Sequence, residues 1–168
     1  MLLQRDGSMA ARIAALMVPF LFLPLLAHAQ SSSRDRARLR EMQNSAMQLA
    51  KSIGIADPIQ VVVVPRNDLV ISVELLPKSK GYGILIDRLF LEQLTSDEVI
   101  AALAHELGHV WIYSHHPFLQ TEALANNVAM RVVSRGQLEA VYVKLWGYTG
   151  VKGNIEELLG GAPAIATK

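Results

Sequence analysis

An α+β fold is what this chain predicts. Three short β-branched segments between residues 59 and 86 lie between two stretches whose apolar residues recur at helical spacing, one over 31–53 and one from about 95 to 146. The 168 residues suffice for one domain, and 51% of them are hydrophobic. A single N-terminal run inflates that fraction.

The run is IAALMVPFLFLPLLA, residues 13–27. It is shorter than the roughly 20 apolar residues a membrane span needs, and it follows Arg5 and Arg12 and contains Pro19 and Pro24. It ends in Ala27-His28-Ala29, the small-x-small pattern of signal peptidase cleavage. Residues 1–29 therefore read as a secretory signal, giving a product exported to the periplasm or the medium. The alternative is an uncleaved N-terminal membrane anchor, the one case in which a membrane would be a partner. Removing Arg5, Asp6 and Arg12 takes the formal charge from +1 to neutral, which leaves no electrostatic basis for a nucleic-acid partner. With no cysteine, the exported chain has neither disulfides nor a cysteine lipid anchor, so its stability rests on an apolar core, aided at most by a metal.

In residues 31–53, Leu39, Met42, Ala46, Leu49 and Ile53 form an amphipathic stripe that stops at Gly54. Arg34, Arg36, Arg38 and Arg40 near its start read as a solvated face partnered by Asp35 and Glu41. Ile59 to Val64, Leu69 to Leu76 and Gly83 to Ile86 read as three strands, separated by turn signals at Pro65-Arg66-Asn67-Asp68 and at Pro77 to Gly81. Thr95-Ser96-Asp97-Glu98 is a capping-box pattern that opens a helix running to about Tyr113. A second helix is predicted from near Pro117 to near Gly136, and a last one over 137–146. The domain boundaries follow: 1–29 signal, 30–150 folded domain, 151–168 flexible C-terminal tail.

Chemistry concentrates at His105-Glu106-Leu107-Gly108-His109, an HExxH pattern. Residues four apart share a helix face, so both imidazoles can turn toward one point, a geometry that suits Zn2+. In such sites the glutamate beside the first histidine leaves the metal free and acts as general base on the water that the metal activates. The helix context supports the motif, because Val99, Ile100, Leu103, Leu107 and Val110 form an apolar stripe that sets the histidines beside a core.

A catalytic zinc needs a third protein ligand, and His115, His116, Glu122 and Glu139 follow the motif. Glu122 lies on the helix after the turn at His116-Pro117, and helices joined by a short turn are antiparallel neighbours, so it can face back toward the histidines. Asn126, one turn further on, is either a partner that orients a ligand histidine or a solvent-facing amide. His115 has the spacing of a metzincin third histidine, but the glycine break that such a site requires is replaced by Ile112. If the helix continues, His115 is carried roughly 240° round from His109.

At these residues the chain resembles a known family. Leu94 to His109, LTSDEVIAALAHELGH, is similar to the active-site helix of gluzincin metallopeptidases, in particular the CAAX-prenyl-protease-like branch, and Glu122-Ala123-Leu124-Ala125-Asn126 resembles the ExxAD segment of that branch, which carries its glutamate ligand. The similarity extends more loosely to the strands, covering about residues 59–130. Two departures stand out: Asn126 replaces the usual aspartate, and the multi-span membrane region of the larger relatives is missing, as in the small soluble members called minigluzincins. The resemblance implies a minimal zincin-like fold, a small three-stranded sheet packed by an N-terminal helix, the HExxH helix and a glutamate-bearing helix. It implies a zinc-dependent endopeptidase acting on a peptide or protein substrate, with His105, His109 and Glu122 as zinc ligands and Glu106 as catalytic base. A tyrosine or histidine stabilises the oxyanion in such enzymes, and Tyr82, Tyr113, Tyr142 and Tyr148 all remain open for that role. The competing expectations are an exported zinc-stabilised binding or adaptor module, or a latent peptidase whose tail lies in the cleft. No GxSxG elbow, phosphate-binding loop or cysteine nucleophile supports another hydrolase or nucleotide-binding reading.

Overall fold

A computed structural model describes residues 23–76 and 81–160. The chain divides into residues 1–35 and 36–168. In the first unit, the described residues from Leu23 onward begin helix α1 (Leu23–Ile53); most of the predicted signal lies outside the described residues. No helix among the described residues is long and apolar enough to cross a membrane.

The second unit is α+β. Strands β1 (Ile59–Val64), β2 (Ile71–Leu76) and β3 (Gly81–Asp87) form a mixed sheet in the order β1-β3-β2, with β1 parallel and β2 antiparallel to β3. The central β3 is the most buried strand, as its ILI centre at Ile84 to Ile86 requires, and among the described residues no fourth strand pairs with either outer strand. On the β1 side, the Gln43 amide stands in for a neighbouring strand. Its Nε2 donates to the Ile59 carbonyl and its Oε1 accepts from the Val61 amide. Met42, Ala46, Ala50 and Ile53 of α1 join Val61, Ile84 and Ile86 in one core, so the predicted stripe faces inward. Arg38 leaves its expected solvated role and donates to the carbonyls of Leu91 and Leu94.

Between β1 and β2 the chain is pinned by Asn67, whose amide side chain bonds Ser72 and the Leu85 carbonyl, while its backbone N–H donates to Asp87. This turn holds buried Val70 at φ 66°, an unfavourable conformation for a β-branched residue that persists because its surroundings over-determine it. Asp87 is buried yet satisfied. It caps the short helix α2 (Arg88–Leu91) by accepting from Leu89 and Phe90, and it accepts the Tyr148 hydroxyl.

Helix α3 (Ser96–His115) opens with the predicted capping box of Thr95 and Glu98 and buries Val99, Leu103, Leu107 and Val110. The next helix departs from expectation. Pro117 does not begin it; residues 116–121 form a turn and connecting segment, and α4 spans only Glu122–Ala129, capped by Thr121. A second capping box, Ser134 with Gln137, restarts the chain as α5 (Arg135–Thr149), so Gly136 lies inside a helix instead of ending one. Gly150, in the left-handed region at φ 74°, terminates α5. Part of the segment expected as a tail lies among the described residues. Residues Ile155–Leu159 form α6, held by buried Leu159 and by Arg135 Nη1, which donates to the carbonyls of Leu159 and Gly160.

Candidate metal centre

The site is made where α3 and α4 touch. Gly108 permits that contact, since a Cβ there would stand 2.3 Å from the Ala125 carbonyl oxygen. The close approach sets the start of α4 against the HExxH face. His105 Nε2 and His109 Nε2 lie 3.3 Å apart, with Glu122 Oε2 3.1 Å from the first and Glu122 Oε1 3.5 Å from the second. One ligand atom from each of the three residues falls within 4.8 Å of the others, and these donor types at this spacing suit a metal ion.

The outer ring nitrogens are held by amides. Asn126, fully buried, places Oδ1 2.8 Å from His105 Nδ1 while its Nδ2 donates to the Tyr142 hydroxyl at 2.9 Å and to the Leu158 carbonyl at 3.0 Å. Gln120 sets Oε1 3.2 Å from His109 Nδ1, with its Nε2 directed at the His109 carbonyl. An amide oxygen only accepts, so each Nδ1 carries a hydrogen, and in the neutral ring each Nε2 is left as a lone pair facing the cluster. Asn126 thus takes the orienting role, and the solvent-facing alternative does not hold. Gln120 went unnoticed in the sequence; its only sequence signal is its place two residues before Glu122.

Glu106 is buried and lines the same cleft, a cavity of about 410 Å³ bounded also by Ile71, Val73, Tyr113, Tyr142 and Leu145. Burial pushes its carboxyl above the usual range, against the opposing pull of His105 and His109. For His109, burial works to depress the pKa, but the hydrogen bond and charge of Glu122 outweigh it and raise it overall. In the metal-free chain, where an Nε2 that carries a hydrogen can donate to it, contact with the two histidines holds the Glu122 carboxyl far below its ordinary value. Burial, first among several causes, keeps Tyr142 protonated well above the normal phenol range.

The remaining sequence-selected residues lie elsewhere. His115 stacks on Trp111 at 4.2 Å and its Nδ1 meets the Trp111 carbonyl; His116 is the C-terminal cap of α3; Glu139 pairs with Arg135. Of the four tyrosines, Tyr113 and Tyr142 line the cleft, Tyr82 stacks on Tyr113, and Tyr148 is bound to Asp87.

No family model matches the chain, and no curated protein matches its sequence. Among solved structures, the metallopeptidase zymogen abylysin of Pyrococcus abyssi is 15% identical, aligned over 67% of this chain and 99% of that one with a TM-score of 0.49.

Proposed function

We propose that the protein is a zinc-dependent endopeptidase of the gluzincin type, akin to the CAAX-prenyl-protease-like branch and its small soluble members, and that it works outside the cytoplasm after loss of residues 1–29. The observation that carries the reading is the convergence of two imidazole lone pairs and a carboxylate beside a buried glutamate in one cleft. Two nitrogens bound about 2.05 Å from one tetrahedral zinc stand roughly 3.3 Å apart. That matches the His105–His109 separation of 3.3 Å, and the distances to Glu122, 3.1 Å to Oε2 and 3.5 Å to Oε1, lie on either side of it. Without a cation the facing lone pairs repel.

His105, His109 and Glu122 would hold the ion, and zinc in this place supplies Lewis acidity, acidifying water and polarising a carbonyl oxygen. Glu106 takes the proton of the water that attacks the peptide carbonyl carbon, then delivers it to the amine nitrogen as the C–N bond breaks. Its burial favours this role, because a carboxylate with raised basicity is a better base near neutral pH. Asn126 and Gln120 keep both imidazoles in the ligating tautomer. The substrate lies extended along the unpaired edge of β2, whose Ile71, Ser72 and Val73 border the cleft, and the apolar wall of Leu69, Val141 and Leu145 accepts an aliphatic side chain.

The test is metal analysis of the purified chain together with incubation against a mixed peptide library, with and without chelator. One equivalent of zinc and chelator-sensitive cleavage are expected. Zinc without cleavage would replace the reading with the adaptor or latent form, and absence of zinc would overturn it.

A further inference from the structure

The described part of the chain ends in α6, far from the HExxH motif in sequence, yet it touches the site through one hydrogen bond. Asn126 Nδ2 donates to the Leu158 carbonyl at 3.0 Å. This carbonyl belongs to the last turn of α6, where backbone oxygens have no helical partner. It can only accept, so the Asn126 atom facing it must be the NH2 group. The amide oxygen is then turned to His105 Nδ1, which must carry a hydrogen, so that in the neutral ring Nε2 is the nitrogen left with a lone pair.

We infer that α6 is a positioning element for the site: the Leu158 carbonyl dictates which way round the Asn126 amide sits, and through it which nitrogen of His105 is available. Leu159, the buried residue of α6, and Arg135, which grips the carbonyls of Leu159 and Gly160, serve as the anchors that keep this carbonyl in place. Tyr142 does not fix the amide by itself, because a hydroxyl both donates and accepts and lies within reach of either Asn126 atom, at 2.9 Å from Nδ2 and 3.2 Å from Oδ1. The carbonyl breaks the tie, and it does so against Glu122 Oε2, 3.1 Å from His105 Nε2, which by itself favours the opposite tautomer. The residue type follows from the same logic. An aspartate at 126 would still accept from His105, but it would set carboxylate oxygen against carbonyl oxygen and drive α6 off.

This inference rests on the proposed role of His105 as a ligand only for its consequence, not for its test. Four full-length chains are compared in the metal-free state: wild type, Leu159→Asp, Asn126→Asp and the double variant. Imidazole 15N NMR at about pH 9, where imidazole is neutral, reports the His105 tautomer. Hydrogen exchange at the Leu158 amide, bonded to Asn154, reports docking of α6.

The wild type should show a single Nδ1–H form and a protected Leu158. Leu159→Asp undocks α6, frees the Asn126 amide to turn over and gives a mixture of tautomers. Asn126→Asp keeps the Nδ1–H form while exchange at Leu158 speeds at least tenfold. In the double variant the carboxylate has no wrong orientation, so the single Nδ1–H form returns, a rescue that general loosening of the fold would not produce. If Leu159→Asp does not fold, Arg135→Ala takes its place with the same expectations. An unchanged His105 tautomer after α6 is undocked, or a fully protected Leu158 in Asn126→Asp, overturns the inference. Zinc affinity measured on the same chains separates the two readings. Undocking should weaken it about tenfold, whereas a wild type that shows the tautomer pattern but binds no zinc refutes the proposed function and leaves the positioning role standing.

Discussion

Replacing Gly108 by alanine should reverse the usual effect of that change in a helix. In a solvent-exposed helix interior, alanine is favoured over glycine by about 1 kcal/mol. At Gly108 the new Cβ would meet the Ala125 carbonyl oxygen at 2.3 Å and its carbonyl carbon and Cα at 2.9 Å, all backbone atoms that cannot rotate away. Ordinary contact begins at 3.4 Å, so α4 must retreat by roughly 1 Å. Overpacking of this kind costs about 1–3 kcal/mol. The retreat also stretches the 2.8 Å contact between His105 and Asn126 beyond hydrogen-bonding range, adding about 1–3 kcal/mol for a buried amide left partly unpaired. After the propensity gain, the net loss is about 1–5 kcal/mol, and its mid-point near 3 kcal/mol corresponds to a fall in Tm of ~10 °C. Zinc affinity should drop at least tenfold as Glu122 and Asn126 move with α4 (about tenfold or more for lost outer-shell support). Thermal melts by circular dichroism and a chelator-competition titration measure both effects. Gly147→Ala is the control: nothing lies within 4 Å of its Cβ, so it should stabilise by up to about 1 kcal/mol. If Gly108→Ala behaved like Gly147→Ala, with zinc binding intact, the close α3–α4 contact would not be what builds the site.

Three further outcomes are expected. Glu122→Ala should cost far more zinc affinity than His115→Ala in a titration, because Glu122 stands against both Nε2 atoms while His115 is stacked on Trp111; the reverse order would move the site to the metzincin arrangement. Stability should fall as the pH drops below about 4.5, because Asp87 and Glu98, despite burial that opposes ionisation, are held below their ordinary values by hydrogen bonds, from Asn67, Phe90 and Tyr148 in one case and from Lys144 and Thr95 in the other. Both groups bind protons more readily unfolded, so their contribution is complete at neutral pH and lost through the acid range. Lys144→Met should accordingly lower stability by about 1 kcal/mol at pH 7 and by less at pH 3, read as urea midpoints. An equal loss at both pH values would show that the Lys144–Glu98 pair does not set the acid response.

The elements carried by local pattern were legible in the sequence: the inward stripe of α1, the three strands, and the Thr95 box that starts α3. The α+β class follows from them. What local pattern misled about is the stretch from Pro117 to Gly136, where apolar residues recur helically straight through a break. Two side-chain caps, Thr121 and Ser134, interrupt the backbone there, and only the second carries a recognisable box with Gln137. Sheet order was out of reach, since placing β3 between β1 and β2 depends on pairings across distant segments. At the site, helical spacing alone brings His105 and His109 together, and the turn after α3 returns Glu122 to them. Gln120 and Leu158 act through a side-chain amide in a loop and a backbone carbonyl, groups whose role no residue type announces. Tyr142 stood among four tyrosines, and only its burial beside Asn126 separates it from the rest.

The central claim is that Glu106 serves the reaction and not the metal. It is tested most directly by comparing Glu106→Gln with wild type for zinc content, thermal stability and hydrolysis of the best peptide found in the library. The substitution keeps the size and removes the basic carboxylate, so zinc content and fold should be retained while hydrolysis falls by about 10²–10⁴-fold. Near wild-type cleavage by Glu106→Gln, or loss of its zinc, would contradict the account.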